Sequence, residues 1–383
     1  MTTTTLFTLA SPSIPGEAEL RLRSGPVMVV DLEAIRSNYR LLSAKTRGKT
    51  AAVVKGDGYG HGMLPGALAL QEAGARLFFT ARLDDAFLLR DRLNTDCVVA
   101  VLDGANTSTM AEAIASGIVP VINSHDQLAA VLSVAQKSKR RPRVFVHIDT
   151  GMNRLGFAHD RVSEIRDSAN RLDIQAYVTH FAAADDMDIG FCKRQVAAMK
   201  AAVQRLPAAP LSIANSCGVF LGPAFHGDIT RPGKSAFGIN PLAEGSNPMS
   251  EPATVLAPVV QTRQLKPGDP VGYASTWRAP APRRIAVIAI GYSNGYSRLT
   301  SNRGYVAFGG KLAPVVGRIS MDLVAVDITE LPENTVVPGS VAEIVGPTIS
   351  YRKVAATMAT NEHEALIALG RSCARVYVSG KAS

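Results

Sequence analysis

Between residues 50 and 245 the chain alternates short β-branched runs with segments of helix length, and this alternation restricts the fold more than any other feature. The strand-like runs are 51–55, 77–80, 97–102, 118–122, 144–148, 174–179, 211–214 and 228–231, with helical patterns at 65–73, 83–92, 127–136 and 191–205. Strands alternating with helices of this size form βαβ units and therefore a parallel sheet. Eight such strands in ~200 residues, joined by short links, fit a closed (β/α)8 barrel of the TIM type better than an open sheet. A further helix, 32–44, precedes the first barrel strand.

Near residue 250 the pattern changes. Runs 261–273, 285–291, 305–312, 313–329 and 341–345 are strand-like, and turn signals such as Lys266-Pro267-Gly268-Asp269 and Ser293-Asn294-Gly295 separate them. Gly309-Gly310 between apolar residues predicts a tight hairpin. A helix over 354–369 interrupts this region near its end. The expected division is an N-terminal segment, 1–25, packing on the β domain; a barrel, 26–249; and a mostly antiparallel β domain, 250–383.

Several broad classes are excluded. Charged residues make up 19% and hydrophobic residues 46% of the 383 positions, the opposite of a disordered chain. No run approaches the ~18 apolar residues of a membrane span, and residues 1–15 lack the basic head and apolar core of a secretory signal. The expectation is a soluble, cytoplasmic protein. Cys97, Cys192, Cys217 and Cys373 are widely spaced, which argues against a zinc ribbon and a disulfide scaffold. The net charge is +9, but the one dense basic run, 137–143, has no interleaved aromatic residues. That speaks for a solvated helix end and against nucleic-acid binding.

Barrel chemistry gathers where strands end and βα loops begin. The first strand ends in Lys55, followed by Gly56-Asp57-Gly58-Tyr59-Gly60-His61-Gly62. The fifth leads into Asp149-Thr150-Gly151-Met152-Asn153-Arg154, and the sixth ends in Thr179-His180. The seventh runs into Asn215-Ser216, and the eighth into Arg231-Pro232-Gly233-Lys234. Each alone has a bland explanation: a surface lysine, a structural histidine, an Asn-Ser helix cap. Five polar ends converging on one barrel mouth do not. Loops after strands seven and eight are the usual phosphate site of such barrels, with Ser216 and Gly233-Lys234 as donors. Lys55 follows the apolar Val53 and Val54, a setting that lowers a lysine pKa and makes it a nucleophile toward carbonyls. Phosphate donors with such a lysine suggest pyridoxal phosphate. Gly227 to Ser235 resembles a P-loop but has five residues between its glycines where four are needed, and His363-Glu364 lacks the second zinc-binding histidine.

These residues resemble the alanine racemase family over nearly the whole chain. The matching stretches are Val54-Lys55 to Gly62, Asp149 to Gly156, Thr179-His180-Phe181-Ala182, Ala214-Asn215-Ser216 and Arg231 to Lys234. They continue in Gly272-Tyr273-Ala274-Ser275-Thr276, Ile290-Gly291-Tyr292 to Tyr296, and Gly317 to Met321-Asp322. The resemblance implies interconversion of L- and D-alanine for D-alanine and cell-wall synthesis, in a homodimer whose sites are shared between subunits. It implies that Lys55 holds pyridoxal 5'-phosphate covalently and serves as base on one face of the substrate, with Tyr273 of the second subunit on the other. Tyr59, Asn215, Ser216, Gly233 and Lys234 would hold the phosphate side, Lys234 through its backbone N–H. His180 would pack on the pyridine ring and Arg231 would meet its nitrogen. Arg154 and the Met321 backbone would bind the substrate carboxylate, and Tyr292 would line the entry. A guanidinium offers the ring nitrogen a hydrogen bond but no proton, which limits carbanion lifetime and side reactions.

This chain departs from the family pattern at two places. Many members have a lysine, often carbamylated, two residues before Asp149; here the residue is His147. Histidine supplies no negative charge to Arg154, so the expected brace is a bound anion or another carboxylate. The tail 370–377 does not align with the family's phosphate-touching tyrosine, and no residue is assigned there. The rival readings are a racemase of broader range (serine or basic amino acids) and a non-catalytic pyridoxal-phosphate-binding protein, which would leave Tyr273, Met321 and Asp322 without purpose.

Overall fold

The computed structural model describes residues 16–186 and 188–380. They form two compact units: Ile35–Gly58 with Met63–Ser250, and residues 16–34 and 251–380 with Tyr59–Gly62.

The first unit is the expected parallel barrel. Its strands run Lys49–Thr50 continued by Ala52–Val53, Leu77–Thr80, Val98–Val101, Ile118–Ile122, Arg143–Asp149, Asp173–Val178, Leu211–Ser212 and Ile229–Thr230. Lys49–Thr50 pairs with Ile229–Thr230, and Ala52–Val53 pairs with Leu77–Thr80, so the first strand closes the ring. Every residue of Ile118–Ile122 is buried, as expected of a strand covered on both faces. Inside, Phe79 and Phe145 meet with ring centroids 5.1 Å apart, among Val53, Val121 and Ile229. The outer helices start on side-chain caps where the sequence supplies them. Ser124 accepts from Gln127 N–H to open His125–Ser138, and Asp188 accepts from Phe191 N–H to open Ile189–Val203.

The second unit is built on a mostly antiparallel sheet. Its 13-residue strand Ala253–Leu265 pairs first with Val27–Asp31 and Val341–Val345, then with Arg283–Ile288. A register shift between Val259 and Gln261 lies at the start of the pairing with Arg283–Ile288, where an extra residue re-aims the strand. Lys311–Pro314 and Tyr305–Phe308 form the expected hairpin: Phe308 faces Lys311, and Gly309 and Gly310 both have positive φ, 55° and 81°.

Three boundaries differ from the sequence reading. Val27–Asp31, read as the start of the barrel, joins the second sheet, antiparallel to Ala253–Leu265 and parallel to Ala374–Val378. The run 313–329 is two strands, ending in Pro314 and resuming at Val324, because Gly317 turns at φ 75° against Val271. The single helix expected over 354–369 is two, Tyr351–Thr357 and Glu362–Ser372. Ala359 is left-handed at φ 54°, and Asn361 caps the second helix by accepting from Glu364 N–H. At the N-terminus, Gly16–Leu22 packs Ala18 and Leu22 onto Val27, Leu256 and Val376 of this sheet; residues 1–15 lie outside the described part. Among the described residues no helix is long and apolar enough to cross a membrane.

Candidate functional site

Lys55 stands where the first barrel strand gives way to a left-handed turn. Gly56, Asp57 and Gly58 have φ of 63°, 56° and 61°. Glycine tolerates this conformation, and Asp57 is stabilised in it by accepting from Met63 N–H at 2.8 Å. Burial lowers the Lys55 pKa, and the charges of Arg154 and Arg231 add to that against the opposing charge of Asp103. A larger share of Lys55 is therefore a neutral amine near neutral pH than for an ordinary lysine.

Arg231 is 6% exposed and fully bridged into the barrel, its guanidinium donating to Ser212 Oγ and to the Thr179 carbonyl. Burial lowers its pKa to about 10, which leaves it cationic at neutral pH. Burial, then the charges of Arg231, Lys55, Arg154 and His147, push His180 down to about 3. Burial, with Arg231 and Arg154 against Asp149, pushes His147 down to about 4. Lys55, His147, Arg154, His180 and Arg231 thus lie within electrostatic range of one another at the barrel mouth. Both histidines are neutral at physiological pH.

The loops after the seventh and eighth strands meet at Ser216. Its hydroxyl accepts from Gly233 N–H at 3.0 Å and Ser235 N–H at 3.3 Å, while Asn215 caps the following turn through Gly218 N–H. In the same turn Ser235 Oγ is buried without a hydrogen-bond partner. An orphaned buried hydroxyl among backbone donors suits an acceptor-rich ligand such as a phosphate. The Lys234 side chain is engaged elsewhere, with Nζ 3.0 Å from Asp185, so only its backbone is left to face this corner.

Arg154 rides on a loop clamped at both ends. Asp149 Oδ1 accepts from the N–H groups of Gly151, Met152 and Asn153 at 3.0–3.2 Å. At the far end Gly156 N–H donates to the Asn123 carbonyl at 3.2 Å, and a Cβ on Gly156 would lie 3.0 Å from the His147 ring. Asn123 holds His147 as well. Its Nδ2 donates to the Leu102 and Val121 carbonyls, so its Oδ1 faces His147 Nδ1 at 2.8 Å. The proton must then sit on Nδ1, and Nε2 is the acceptor. The guanidinium of Arg154 is exposed, and no Asp or Glu among the described residues pairs with it. The carboxylate brace expected from the sequence is therefore absent from the described part of this chain.

In the second unit Tyr273 opens a short turn, Tyr273–Ser275, and is 66% exposed. Ala274 and Ser275 are left-handed at φ 57° and 48°, a conformation that costs a non-glycine residue about 1–3 kcal/mol and clusters at functional sites. Gly291 lets the backbone before Tyr292 pass the Met321 carbonyl, which a Cβ would meet at 2.2 Å, and Ser293 N–H donates to that same carbonyl. Tyr292 and Met321 are thus neighbours, 44% and 54% exposed. A polar hollow of about 420 Å³, lined by Thr276, Arg298, Ser301, Asn302 and Arg318, opens in this unit. Tyr59 is buried and belongs with this unit, not with the barrel strand it follows. Sequence reasoning missed Asn123, His61 and Tyr351, whose partners are remote in the chain, and the hollow's arginines.

Comparison with known proteins identifies the family and agrees with the fold. The alanine racemase N-terminal domain model matches residues 30–241, and the alanine racemase C-terminal domain model matches 253–377. The chain is 38% identical over 384 aligned positions to a Brucella suis protein named alanine racemase, covering 96% of this chain and 97% of that one. It is 37% identical to a catabolic alanine racemase of Agrobacterium fabrum, covering 92% of each. Among solved structures it resembles the Bartonella henselae alanine racemase with covalently bound pyridoxal phosphate at a TM-score of 0.89 and 33% identity, covering 92% of this chain and 99% of that one. It resembles the biosynthetic alanine racemase of Pseudomonas aeruginosa at 0.84 and 32%, with the same two coverages. Two domain models in order and full-length relatives lead to one conclusion: the chain belongs to the alanine racemase family.

Proposed function

We propose that this chain interconverts L- and D-alanine with pyridoxal 5'-phosphate, as a cytoplasmic homodimer whose sites combine the barrel of one subunit with the β unit of the other. The observation that carries the reading is the barrel mouth: a half-buried lysine of lowered pKa shares it with a guanidinium held by protein hydrogen bonds, and the turn after the eighth strand holds an orphaned serine hydroxyl. These residues fit the cofactor, with Lys55 as its covalent anchor, His180 against its ring, and Arg231 at its ring nitrogen. Tyr59, Asn215, Ser216, Gly233 and the Lys234 backbone would hold the phosphate side. When bound, pyridoxal phosphate supplies a carbonyl for covalent attachment and an electron-withdrawing ring that acidifies the substrate Cα–H.

The protein's part is proton traffic and orientation. Racemisation removes a proton from one face of Cα and returns one to the other, so it needs two opposed acid/base groups. Lys55, with its lowered pKa, serves one face and Tyr273 of the second subunit the other. Arg231 remains a cationic hydrogen-bond donor and keeps its proton. Arg154 and the Met321 backbone bind the substrate carboxylate, and Tyr292 lines the approach.

Purification followed by an absorbance scan and a chiral assay over several L-amino acids tests the reading. The expected result is a yellow protein absorbing near ~420 nm, with borohydride fixing the label on Lys55 and alanine racemised fastest. Label on another lysine, or no turnover of any amino acid by the yellow protein, would overturn it. Faster turnover of serine or a basic amino acid would redirect the substrate assignment.

A further inference from the structure

His61 is fully buried in the segment Tyr59–Gly62, and its two ring nitrogens bond in opposite directions. Nδ1 lies 3.1 Å from the Tyr59 carbonyl, and Nε2 lies 3.1 Å from the Tyr351 hydroxyl. A carbonyl only accepts, so Nδ1 bears the proton in this contact. The Tyr351 oxygen already accepts from Ala253 N–H at 2.6 Å, which leaves its own proton for Nε2. Burial, and the charge of Glu251, raise the Tyr351 pKa well above its ordinary value, so that proton stays in place. The result is a directed chain: Ala253 N–H to Tyr351, Tyr351 O–H to His61, and His61 N–H to the Tyr59 carbonyl. Such chains polarise one another and stiffen the groups they join.

Its end point is a residue under strain. Tyr59 is left-handed at φ 53°, and Gly60 and Gly62 continue at φ 88° and 97°. The segment is threaded closely: a Cβ on Gly60 would lie 2.2 Å from the Leu366 carbonyl, and one on Gly62 would lie 2.1 Å from the Tyr377 hydroxyl. Tyr351 is itself fixed, because its N–H donates to Glu251 and Ser350 caps its helix.

We propose that His61 is a positioning residue for the cofactor: through the Tyr59 carbonyl, and backed by Tyr351, it holds Tyr59 in the backbone conformation in which Tyr59 serves as phosphate ligand. The proposal rests on the reading of Tyr59 as that ligand. The test is a double-mutant cycle on the dissociation constant of pyridoxal phosphate, measured by fluorescence on titrating the apoprotein. His61→Leu and Tyr59→Phe should each weaken binding about tenfold or more, and the double variant should be little worse than either alone. Independent, multiplying effects would overturn the proposal, as would an unchanged constant in His61→Leu. If Tyr59→Phe alone leaves the constant unchanged, the phosphate-ligand reading fails, and the proposal with it. A second pair of variants separates positioning from packing, should the leucine variant not fold. The Asn amide reaches the Nδ1 position and the Gln amide the Nε2 position, so His61→Asn should bind pyridoxal phosphate more tightly than His61→Gln. The reverse order would overturn the assignment.

Discussion

At the scale of single residues, His147 has the clearest consequences. Its folded pKa is about 4, below the ordinary 6.5, because burial disfavours the imidazolium and Arg231 and Arg154 repel it. Above pH 6.5 the ring is neutral in both folded and unfolded chains and contributes nothing to the pH dependence of stability. Between about 6.5 and 4 the unfolded chain takes up a proton that the folded chain refuses, so stability falls as pH falls. The full loss from this one group is on the order of 3 kcal/mol. His147→Gln, which does not titrate, should flatten that part of the acid limb in melts run from pH 7 to 4; an unchanged slope would contradict the assignment. Because neutral His147 cannot be carbamylated, activity should also be indifferent to bicarbonate. No carboxylate pairs with Arg154 among the described residues, and if a small anion braces it instead, activity should rise with chloride. His147→Lys should gain bicarbonate sensitivity and a lower KM at similar kcat; strong bicarbonate dependence of the wild type would refute the argument.

At the scale of elements, the barrel is legible in the sequence because each strand is a compact apolar run between two helical patterns. The second sheet is less so. Its long strand starts at Ala253, where the sequence reading begins at 261, and what sets its course is a bulge and a change of partner, both decided by distant strands. The pair Tyr351–Thr357 and Glu362–Ser372 reads as one helix because apolar periodicity runs through the break. The site shows the same division. Lys55, Arg154, His180 and Arg231 declare themselves at strand ends, whereas Asn123 and Tyr351 act through partners 24 and 290 positions away. Such pairings exist only after folding. The Arg154 loop offers a test at this scale. Gly156 has φ 106°, and a Cβ there would sit 2.9 Å from Asp149 N and 3.0 Å from the His147 ring. Gly156→Ala should cost about 1–3 kcal/mol of stability and raise KM more than it lowers kcat, because the loop presenting Arg154 must shift. An unchanged KM would show that the loop end does not set Arg154.

At the scale of the whole molecule, the β unit presents large side chains that nothing in its own fold covers: Tyr273, Tyr292 and Met321, 66%, 44% and 54% exposed. At the barrel mouth, for its part, the two described histidines near Lys55 are poor acid/base partners at neutral pH, since His147 and His180 stay neutral to about pH 4 and 3. A two-fold dimer in which each subunit lends its β unit to the other's barrel would answer both needs, because an isologous arrangement creates two equivalent shared sites. The model predicts complementation between inactive chains. Tyr273→Phe should lose racemisation by several orders of magnitude yet keep its cofactor, while Lys55→Ala should lose both activity and covalent attachment. In a hybrid dimer one site joins both defects and the other joins an intact Lys55 to an intact Tyr273. If equal amounts of the two variants exchange subunits at random, half the dimers are hybrids with one good site each. Activity should then return to about a quarter of the wild-type level. Subunit exchange can be followed separately by labelling one variant, so absence of activity after proven exchange would rule out the shared site. Activity in either variant alone would show instead that the two bases are not both required.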